Sequence, residues 1–407
     1  MSTEKPVLPS FAVASPLFDF RAVAIQKNGN SINQETRIFP ISDGGIKMSN
    51  KKKIFLAANS PSGFVSFFDE LYNPYRDCRA YIIKGGPGTG KSSLMKKIAE
   101  KGEERGFDVI RVFCSSDPES LDAVMIPELS LSVADGTAPH VLEPKFPGAA
   151  ENIINLGAFW NEKELFEKRD EIRTLSLENS IFHRRASRFL AAAGPIEKEN
   201  EKLLSPLVLE DKLSGFASRF CARETPKKKN SVPGRKSVCL LSGITPKGVV
   251  FFDETVKAFS TRIIGVADEY CCCAGMLLER IGETAAKNGW NVIFCRCPMR
   301  PKEYCEHLII PEASLSLVSL RSSHRFSLPI SRTVHVRRFL KDGGKTDSKR
   351  RLLLNRTLSN NLVESAVEML FEAKKVHDGL EKLYIESMDF EKLNEFSEKF
   401  IFSLFAE

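Results

Sequence analysis

An internal repeat is the feature that most constrains the fold of this 407-residue chain. Short motifs of the first half return in the second half at a nearly constant spacing of about 184 residues. Phe67–Glu70 is identical to Phe251–Glu254, and Ile126–Ser132 differs from Ile310–Ser316 at one position. A fixed spacing of this kind is typical of a duplicated structural unit. We therefore expect two copies of one fold in tandem.

The first copy has the pattern of an α/β fold. Tyr81–Ile83 and Val109–Phe113 have the apolar character of buried strands, whereas apolar residues recur at helical spacing over Ser92–Arg105, before Gly106. Strands that alternate with helices of this length favour a parallel sheet covered by helices. A long charged segment, Glu162–Leu204, predicts a helical appendage. The expected architecture is two tandem three-layer domains with parallel sheets, each carrying such an appendage.

Composition and turn residues set the expected domain limits. Residues 1–50 lack periodicity and contain scattered Gly and Pro, which predicts a flexible N-terminal extension. Residues 51–221 form the predicted first domain. Residues 222–236 are basic and contain Pro, as expected of a linker. Residues 237–407 form the predicted second domain.

A glycine-rich loop follows the first predicted strand. Gly85–Ser92 matches the phosphate-binding pattern Gly-x-x-x-x-Gly-Lys-Ser, and it lies between a strand and a helix, as that mechanism requires. Glycines let the backbone approach an anion, and the helix that follows adds the positive end of its dipole. Lys91 would reach the β- and γ-phosphates and stabilise their charge. The residues predicted to bind phosphate are Gly85, Gly86, Pro87, Gly88, Thr89, Gly90, Lys91, Ser92 and Ser93.

Two acidic residues are candidates for the remaining chemistry. Asp135 ends an apolar strand and is predicted to bind Mg²⁺ together with the Ser92 hydroxyl; the alternative is an aspartate that only caps a turn. Asp117 is the second candidate for the metal role and could also act as a catalytic base, and an Asp-Pro turn explains it at least as well. His140 lies just beyond Asp135, and a structural role is the stronger reading for it.

The second copy lacks this chemistry. Aligning the repeats places Asp268–Gly275 opposite the glycine-rich loop, with Ala274 at the position of Lys91 and Ser319 at that of Asp135. Asp268 and its neighbour Glu269 would repel phosphate. We therefore expect a degenerate second copy that supports or regulates the first.

Several of these motifs resemble an uncharacterised family of duplicated P-loop nucleoside triphosphatases found mainly in Firmicutes such as clostridia. The resemblance lies in Lys84–Ser93, Cys114–Pro118, Ile126–Glu128 and Asp135–His140, with Tyr384–Asn394 similar to the family's C-terminal segment. It covers the chain from about residue 50 onward. Members of the family often look as if both copies carry the loop, and this chain departs from that pattern. The resemblance implies two P-loop NTPase-type domains and nucleotide binding, with no substrate assigned.

Composition limits the class of protein, its compartment and its partners. The chain is 42% hydrophobic and 27% charged, which is typical of a globular protein, and no apolar run is long enough to span a bilayer. Ten cysteines without a convincing secretion signal predict free thiols in the cytoplasm. The net charge of +7 permits contact with nucleic acid but gives no positive support for it.

Three functions fit the sequence. The first is an ATP-binding P-loop NTPase that hydrolyses ATP with Mg²⁺, through Lys91, and couples this to a rearrangement of the domains. The second is a kinase acting on a small molecule or nucleotide as acceptor, with Asp117 as base. The third is a non-catalytic nucleotide sensor or scaffold that binds a protein partner. Adenine is the default base because no Asn-Lys-x-Asp guanine signature is present.

Overall fold

The fold of the first half is that of a mixed sheet with long helices. The computed structural model describes residues 51–76, 78–229, 231–268, 273–320, 327–341 and 349–406, so the predicted extension 1–50 lies outside it. The strands of the first half are β1 (Lys51–Ile54), β2 (Ala57–Ser60), β3 (Gly63–Ser66), β4 (Arg79–Lys84), β5 (Val109–Phe113), β6 (Leu121–Ile126), β7 (Leu131–Asp135) and β8 (Glu151–Asn155). Its helices are α1 (Lys91–Glu104), α2 (Glu162–Glu167), α3 (Arg169–Leu204) and α4 (Glu210–Glu224).

The second half repeats this order of strands, with an additional helix, α5 (Asp253–Phe259), before β12 (Arg262–Ala267). Its strands are β9 (Lys236–Cys239), β10 (Ser242–Thr245), β11 (Gly248–Phe251), β12 (Arg262–Ala267), β13 (Val292–Cys297), β14 (Arg300–Ile310), β15 (Leu315–Leu320) and β16 (Ile330–His335). Its helices are α5 (Asp253–Phe259), α6 (Cys273–Lys287), α7 (Lys349–Glu386) and α8 (Phe390–Phe405).

The two six-stranded sheets share one topology. The first has the order β1-β5-β6-β7-β4-β8, and the second has the order β9-β13-β14-β15-β12-β16, so each strand has its counterpart eight numbers later. Each half also has a separate hairpin, β2-β3 or β10-β11. Ser130 and Ser314, which precede β7 and β15, both adopt a left-handed conformation. This agreement supports the repeat found in the sequence and an α/β layout of two tandem units.

The prediction of parallel sheets was wrong, because both sheets are mixed. β6 runs antiparallel to β5 and β7, and β14 runs antiparallel to β13 and β15. The connections on either side of β6 are short, and such connections close hairpins, whereas parallel neighbours need a crossover of about a dozen residues or more. Sequence analysis missed β6 because all six of its residues are buried, which leaves no alternation to detect.

Helices are exchanged between the halves. α8 packs on the first sheet beside α1 through Leu393, Phe400 and Leu404. α4 packs on the second sheet beside α6, through residues that include Leu213 and Phe220. The predicted limit at residue 221 therefore falls inside a helix that covers the other sheet. The last helix of each half, α4 or α8, thus covers the sheet of the other half.

The halves also share a core and an edge. The faces of the sheets that α1 and α6 leave uncovered contribute to one buried cluster containing Ile110, Met125, Ile293 and Ile309. Where the edge strands β1 and β9 end, Phe55 and Leu240 exchange two backbone hydrogen bonds of 2.8 and 2.9 Å. α3 and α7 pack side by side, with a buried hydrogen bond from the Asn355 side chain to that of Asn200, 2.9 Å long.

Glu70 lies at this junction and gives a pH-dependent prediction. Burial raises the pKa of Glu70 from 4.5 to about 6, although Arg235 and the backbone of Val238 lower it. The folded protein therefore binds a proton more tightly than the unfolded chain, so stability falls as the pH rises between these values. The loss amounts to about 2 kcal/mol, since each pKa unit is worth about 1.4 kcal/mol.

Glu70→Gln is therefore expected to raise the free energy of unfolding at neutral pH by about 2 kcal/mol. The gain should vanish below pH 4.5 in denaturant titrations run across pH. Glu254→Gln, at the equivalent and exposed position of the repeat, is the matched control, and its effect should stay within about 0.5 kcal/mol. A Glu70→Gln protein no more stable than the wild type at neutral pH would contradict the raised pKa of Glu70.

Candidate functional site

The glycine-rich loop joins β4 to α1 in the predicted place. β4 ends at Lys84, the loop spans 85–90, and α1 begins at Lys91. Gly88 and Gly90 have φ values of +67° and +84°, a conformation that favours glycine. Gly90 caps α1 without a side-chain hydrogen bond, and the first turn of the helix carries no acidic residue. The N–H groups of this turn therefore form a site suited to an anion.

Lys91 folds back over the loop. Its Nζ donates hydrogen bonds to the carbonyl oxygens of Gly85 and Gly86, at 3.0 and 2.6 Å. The same Nζ lies 3.6 Å from Asp135 Oδ2, and both side chains are largely buried. Thr89, almost fully buried, ties the loop together through a 2.8 Å bond from its hydroxyl to the carbonyl of Gly86. The loop is thus closed around the Lys91 ammonium group, which lies against two carbonyl oxygens and one carboxylate.

Neighbouring strands bring Asp135 to the loop. β4 and β7 pair in parallel, with Ile83 opposite Asp135, so the carboxylate lies at the strand end that leads into the loop. Its Oδ1 accepts bonds from the N–H and the hydroxyl of Thr137, at 2.8 and 2.5 Å, which leaves Oδ2 facing Lys91. Ser92 Oγ accepts a 2.9 Å bond from Leu121 N–H and keeps its second lone pair. A hydroxyl and a carboxylate are oxygen donors of the kind that Mg²⁺ prefers, so this donor set fits that ion.

Ser93 and Pro87 were also predicted to bind phosphate, but their side chains contribute little to the candidate site. Ser93 is exposed on the first turn of α1, and Pro87 is half-buried. Neither side chain makes a hydrogen bond among the described residues that would fix a ligand. Their predicted contribution would come from the backbone.

Asp117 is held in a turn. Its Oδ1 accepts from Glu119 N–H at 3.2 Å, and its Oδ2 accepts from the Ser120 hydroxyl at 2.8 Å. Lys374, on α7 of the second half, forms an ion pair with Oδ2 at 3.4 Å. These contacts support the structural reading of Asp117, and its role as a base stays a prediction.

The corner between α7 and α8 covers the loop, which the sequence did not predict. A Cβ atom on Gly86 would lie 2.6 Å from the Tyr384 ring, and one on Gly88 would lie 2.7 Å from the carbonyl of Glu381. A Cβ atom on Gly90 would lie 3.0 Å from the Leu393 side chain. The loop glycines are therefore required by close packing against the second half as well as by their φ angles. Tyr384 lies in the segment Tyr384–Asn394, which resembles the C-terminal segment of the P-loop family described above. That similarity was the sequence signal that could have pointed to Tyr384.

Backbone hydrogen bonds fix this corner to the first half. Asn161 N–H donates to the carbonyl of Ser387 at 2.7 Å, and Asp389 N–H donates to that of Phe159 at 2.8 Å. The ring of Trp160 lies 6.1 Å from that of Tyr384. The corner is thus attached to the loop on one side and to the segment after β8 on the other.

His140 lies in a buried polar cluster beside the loop strands. Its Nε2 is 3.1 Å from Asp122 Oδ2, on the missed strand β6. Burial lowers the pKa of His140, but the Asp122 and Asp135 carboxylates raise it by more, so the net shift is upward. Burial also raises the pKa of the nearby Cys114 thiol well above its usual value. Sequence analysis identified His140 but not Asp122, because a single acidic residue within an apolar strand gives no distinct signal.

In the second half, a carboxylate of the chain itself occupies the corresponding helix N-terminus. Asp268 Oδ2, which is buried, accepts a 2.7 Å bond from Ala274 N–H in the first turn of α6. Residues 269–272, including Glu269, lie outside the described residues. Ser319 N–H, at the position equivalent to Asp135, donates to His307 Nδ1 at 3.2 Å. With Ala274 and Ser319 at these positions, the second copy has neither the ammonium group of Lys91 nor the carboxylate of Asp135.

Comparisons with protein-family models, with curated proteins and with solved structures found no match. The resemblance to duplicated P-loop nucleoside triphosphatases therefore stays a prediction. Among the described residues, none of the helices combines the length and the apolar character needed to cross a bilayer.

The close contact between Gly86 and Tyr384 can be tested by a double-mutant cycle. Gly86→Ala is expected to destabilise the protein by about 1–3 kcal/mol, because its Cβ would overlap the Tyr384 ring. The same change in a Tyr384→Ala background should cost at least about 1 kcal/mol less. Denaturant unfolding of the four proteins measures the coupling. Gly215→Ala on α4, where the added Cβ meets only the flexible Arg219 side chain, is the control. Additive effects at Gly86 and Tyr384 would contradict the contact.

Proposed function

We propose that this chain is an ATP-binding P-loop nucleoside triphosphatase whose first copy carries the chemistry. One observation carries the proposal: a glycine loop with two left-handed glycines opens onto the N-terminus of α1, with the Lys91 ammonium 3.6 Å from Asp135. Backbone N–H groups, a helix dipole and a lysine at this position are the combination that binds a triphosphate.

Each residue would have one role in this site. Lys91 would leave the carbonyls of Gly85 and Gly86 and place its charge on the β- and γ-phosphates. Ser92 and Asp135 would hold Mg²⁺, which when bound neutralises charge on the phosphates. Thr137 orients the Asp135 carboxylate through the two hydrogen bonds to Oδ1. With the α7–α8 corner packed against it, the loop would exclude water from one side of the phosphates.

Hydrolysis is favoured over phosphoryl transfer by the surroundings of Asp117. Both oxygens of this carboxylate accept hydrogen bonds in their own turn, and Lys374 neutralises its charge. A base that must accept the proton of an acceptor hydroxyl would have to give up these partners first. The kinase hypothesis therefore ranks second.

Coupling to the second half is part of the proposal. The helix corner touches three loop glycines and is tied by backbone hydrogen bonds to Phe159 and Asn161. Packed contacts of this kind resist continuous deformation, so a loop that opens around phosphate must shift the corner or be resisted by it. The second copy would thus respond to nucleotide without binding it.

Removing the Lys91 ammonium tests the binding site. Lys91→Ala is expected to weaken ATP binding about ten- to hundredfold and to abolish phosphate release, because a hydrogen bond to a charged group contributes about 1.5–3 kcal/mol. Calorimetric titration with ATP, with Mg²⁺ and with a chelator, run beside a phosphate-release assay, gives both quantities. Lys96→Ala, exposed on the same helix, is the matched control and should bind like the wild type.

The same experiment separates the alternatives. Wild-type protein that binds ATP tightly without releasing phosphate would support the sensor, and transfer to an added acceptor faster than hydrolysis would support the kinase. Equal affinity of the wild type and Lys91→Ala would contradict all three.

Trp160 can report on the proposed coupling between the loop and the α7–α8 corner. The sequence has two tryptophans, Trp160 and Trp290, and only Trp160 lies at the α7–α8 corner. In Trp290→Phe protein, ATP with Mg²⁺ is expected to change the fluorescence of Trp160, because the Tyr384 ring beside it moves with the loop. Adding Lys91→Ala should abolish the change. Bound ATP that leaves the emission unaltered would show that the corner does not respond to the loop.

A further inference from the structure

Three side chains from three neighbouring segments meet beside the loop strands. Cys114 follows β5, Asp122 lies on β6 and His140 follows β7. Their sulfur, carboxylate oxygen and imidazole nitrogen atoms all lie within 4.8 Å of one another. The Asp122 and His140 side chains are only 6% and 5% exposed. The sheet order, in which β6 lies between β5 and β7, brings them together.

The cluster contains a buried ion pair and an unsatisfied ring nitrogen. Asp122 Oδ2 and His140 Nε2 are 3.1 Å apart, and His140 Nδ1 has no hydrogen-bond partner among the described residues. A ring nitrogen buried without a partner is costly, and a bound metal ion can be such a partner. The His140 ring is also held in place, stacked on Phe68 at 4.6 Å and edge-on to Phe64 at 4.9 Å.

We infer that Cys114, Asp122 and His140 form a binding site for a transition-metal ion of the zinc class. Mixed sulfur, nitrogen and oxygen donors suit Zn²⁺ and similar ions, whereas Mg²⁺ and Ca²⁺ prefer oxygen donors alone. In a tetrahedral site, donor atoms bound to zinc at about 2.0–2.3 Å lie about 3.3–3.8 Å apart. Donor atoms up to 4.8 Å apart therefore need side-chain shifts of about 1 Å to bind one ion. Cys114 binds as the thiolate, so its proton is released to solvent.

Three protein ligands leave a fourth position open. Zinc sites of this kind hold water or substrate there, whereas structural sites usually have four protein ligands. The cluster lies next to the proposed nucleotide site, because Leu121, which precedes Asp122, donates its N–H to Ser92 Oγ. The site is distinct from the Mg²⁺ donors Ser92 and Asp135, and it does not depend on the proposed ATP binding.

The second half shows how the repeat satisfies the equivalent carboxylate without a metal. Glu306 occupies the position of Asp122 in the aligned repeats, since Ala123 pairs with Ala134 as His307 pairs with Val318. Glu306 Oε2 accepts a hydrogen bond from the buried Ser242 hydroxyl. In the first half, Asp122 Oδ2 faces His140 Nε2 at 3.1 Å instead of a hydroxyl group.

Metal analysis of the full chain tests the site. Untagged protein, purified without chelators, is expected to contain about one zinc per chain by mass spectrometry of the elements. After the metal is removed, titration with Co²⁺ alone should give a sulfur-to-cobalt charge-transfer band. Cys114→Ser should lose that band and bind Co²⁺ at least about tenfold more weakly, which is the scale of loss when metal-site contacts are removed.

The controls keep the result interpretable. Cys78→Ser, a half-buried cysteine outside the cluster, should keep the metal and the band. Lys91→Ala should also keep them, so failure of ATP binding and failure of this site are distinguishable. Circular dichroism checks that Cys114→Ser is folded. Metal-free wild-type protein that does not bind Co²⁺, or a Cys114→Ser protein that binds it as the wild type does, would overturn the inference.

Discussion

The architecture depends on the burial of two sheets that are apolar on both faces. Strands such as β6, with every residue buried, must be covered on each side, and one helix per half cannot do this. The chain covers the outer faces by adding α8 to α1 and α4 to α6, each taken from the other half, and it packs the inner faces into a common cluster. Burying apolar surface contributes about 25 cal/mol per Å², so each exchanged helix stabilises the sheet that it covers. Each half therefore depends on a helix of the other half.

The exchange has a direct consequence for the candidate site. Because α8 must reach the first sheet, the corner between α7 and α8 passes over the glycine loop and meets Gly86, Gly88 and Gly90. The second half thus supplies part of the cover of the loop. At the corresponding helix N-terminus of the second half, Asp268 accepts a hydrogen bond from Ala274 N–H. Under the proposed function, the first copy would carry the chemistry and the second would support it.

Local features were predicted well from the sequence, and contacts between distant segments were not. The loop, the start of α1 and the strand Val109–Phe113 depend on neighbouring residues, and all three were found within a residue or so. β6 was missed because a strand buried on both faces shows no alternation. The helix exchange could not be predicted, because the apolar stripe of a helix does not identify the sheet that it covers. The contacts of Tyr384 with Gly86, and of Asp122 with His140, depend on that tertiary arrangement.

Amide hydrogen–deuterium exchange of the peptide covering 85–91, with and without ATP and Mg²⁺, tests the central claim most directly. The account predicts slower exchange of the loop amides when nucleotide is present, accompanied by a change in the α7–α8 corner and none at the start of α6. Loop amides that exchange at the same rate under saturating ATP, or protection confined to the second copy, would contradict it.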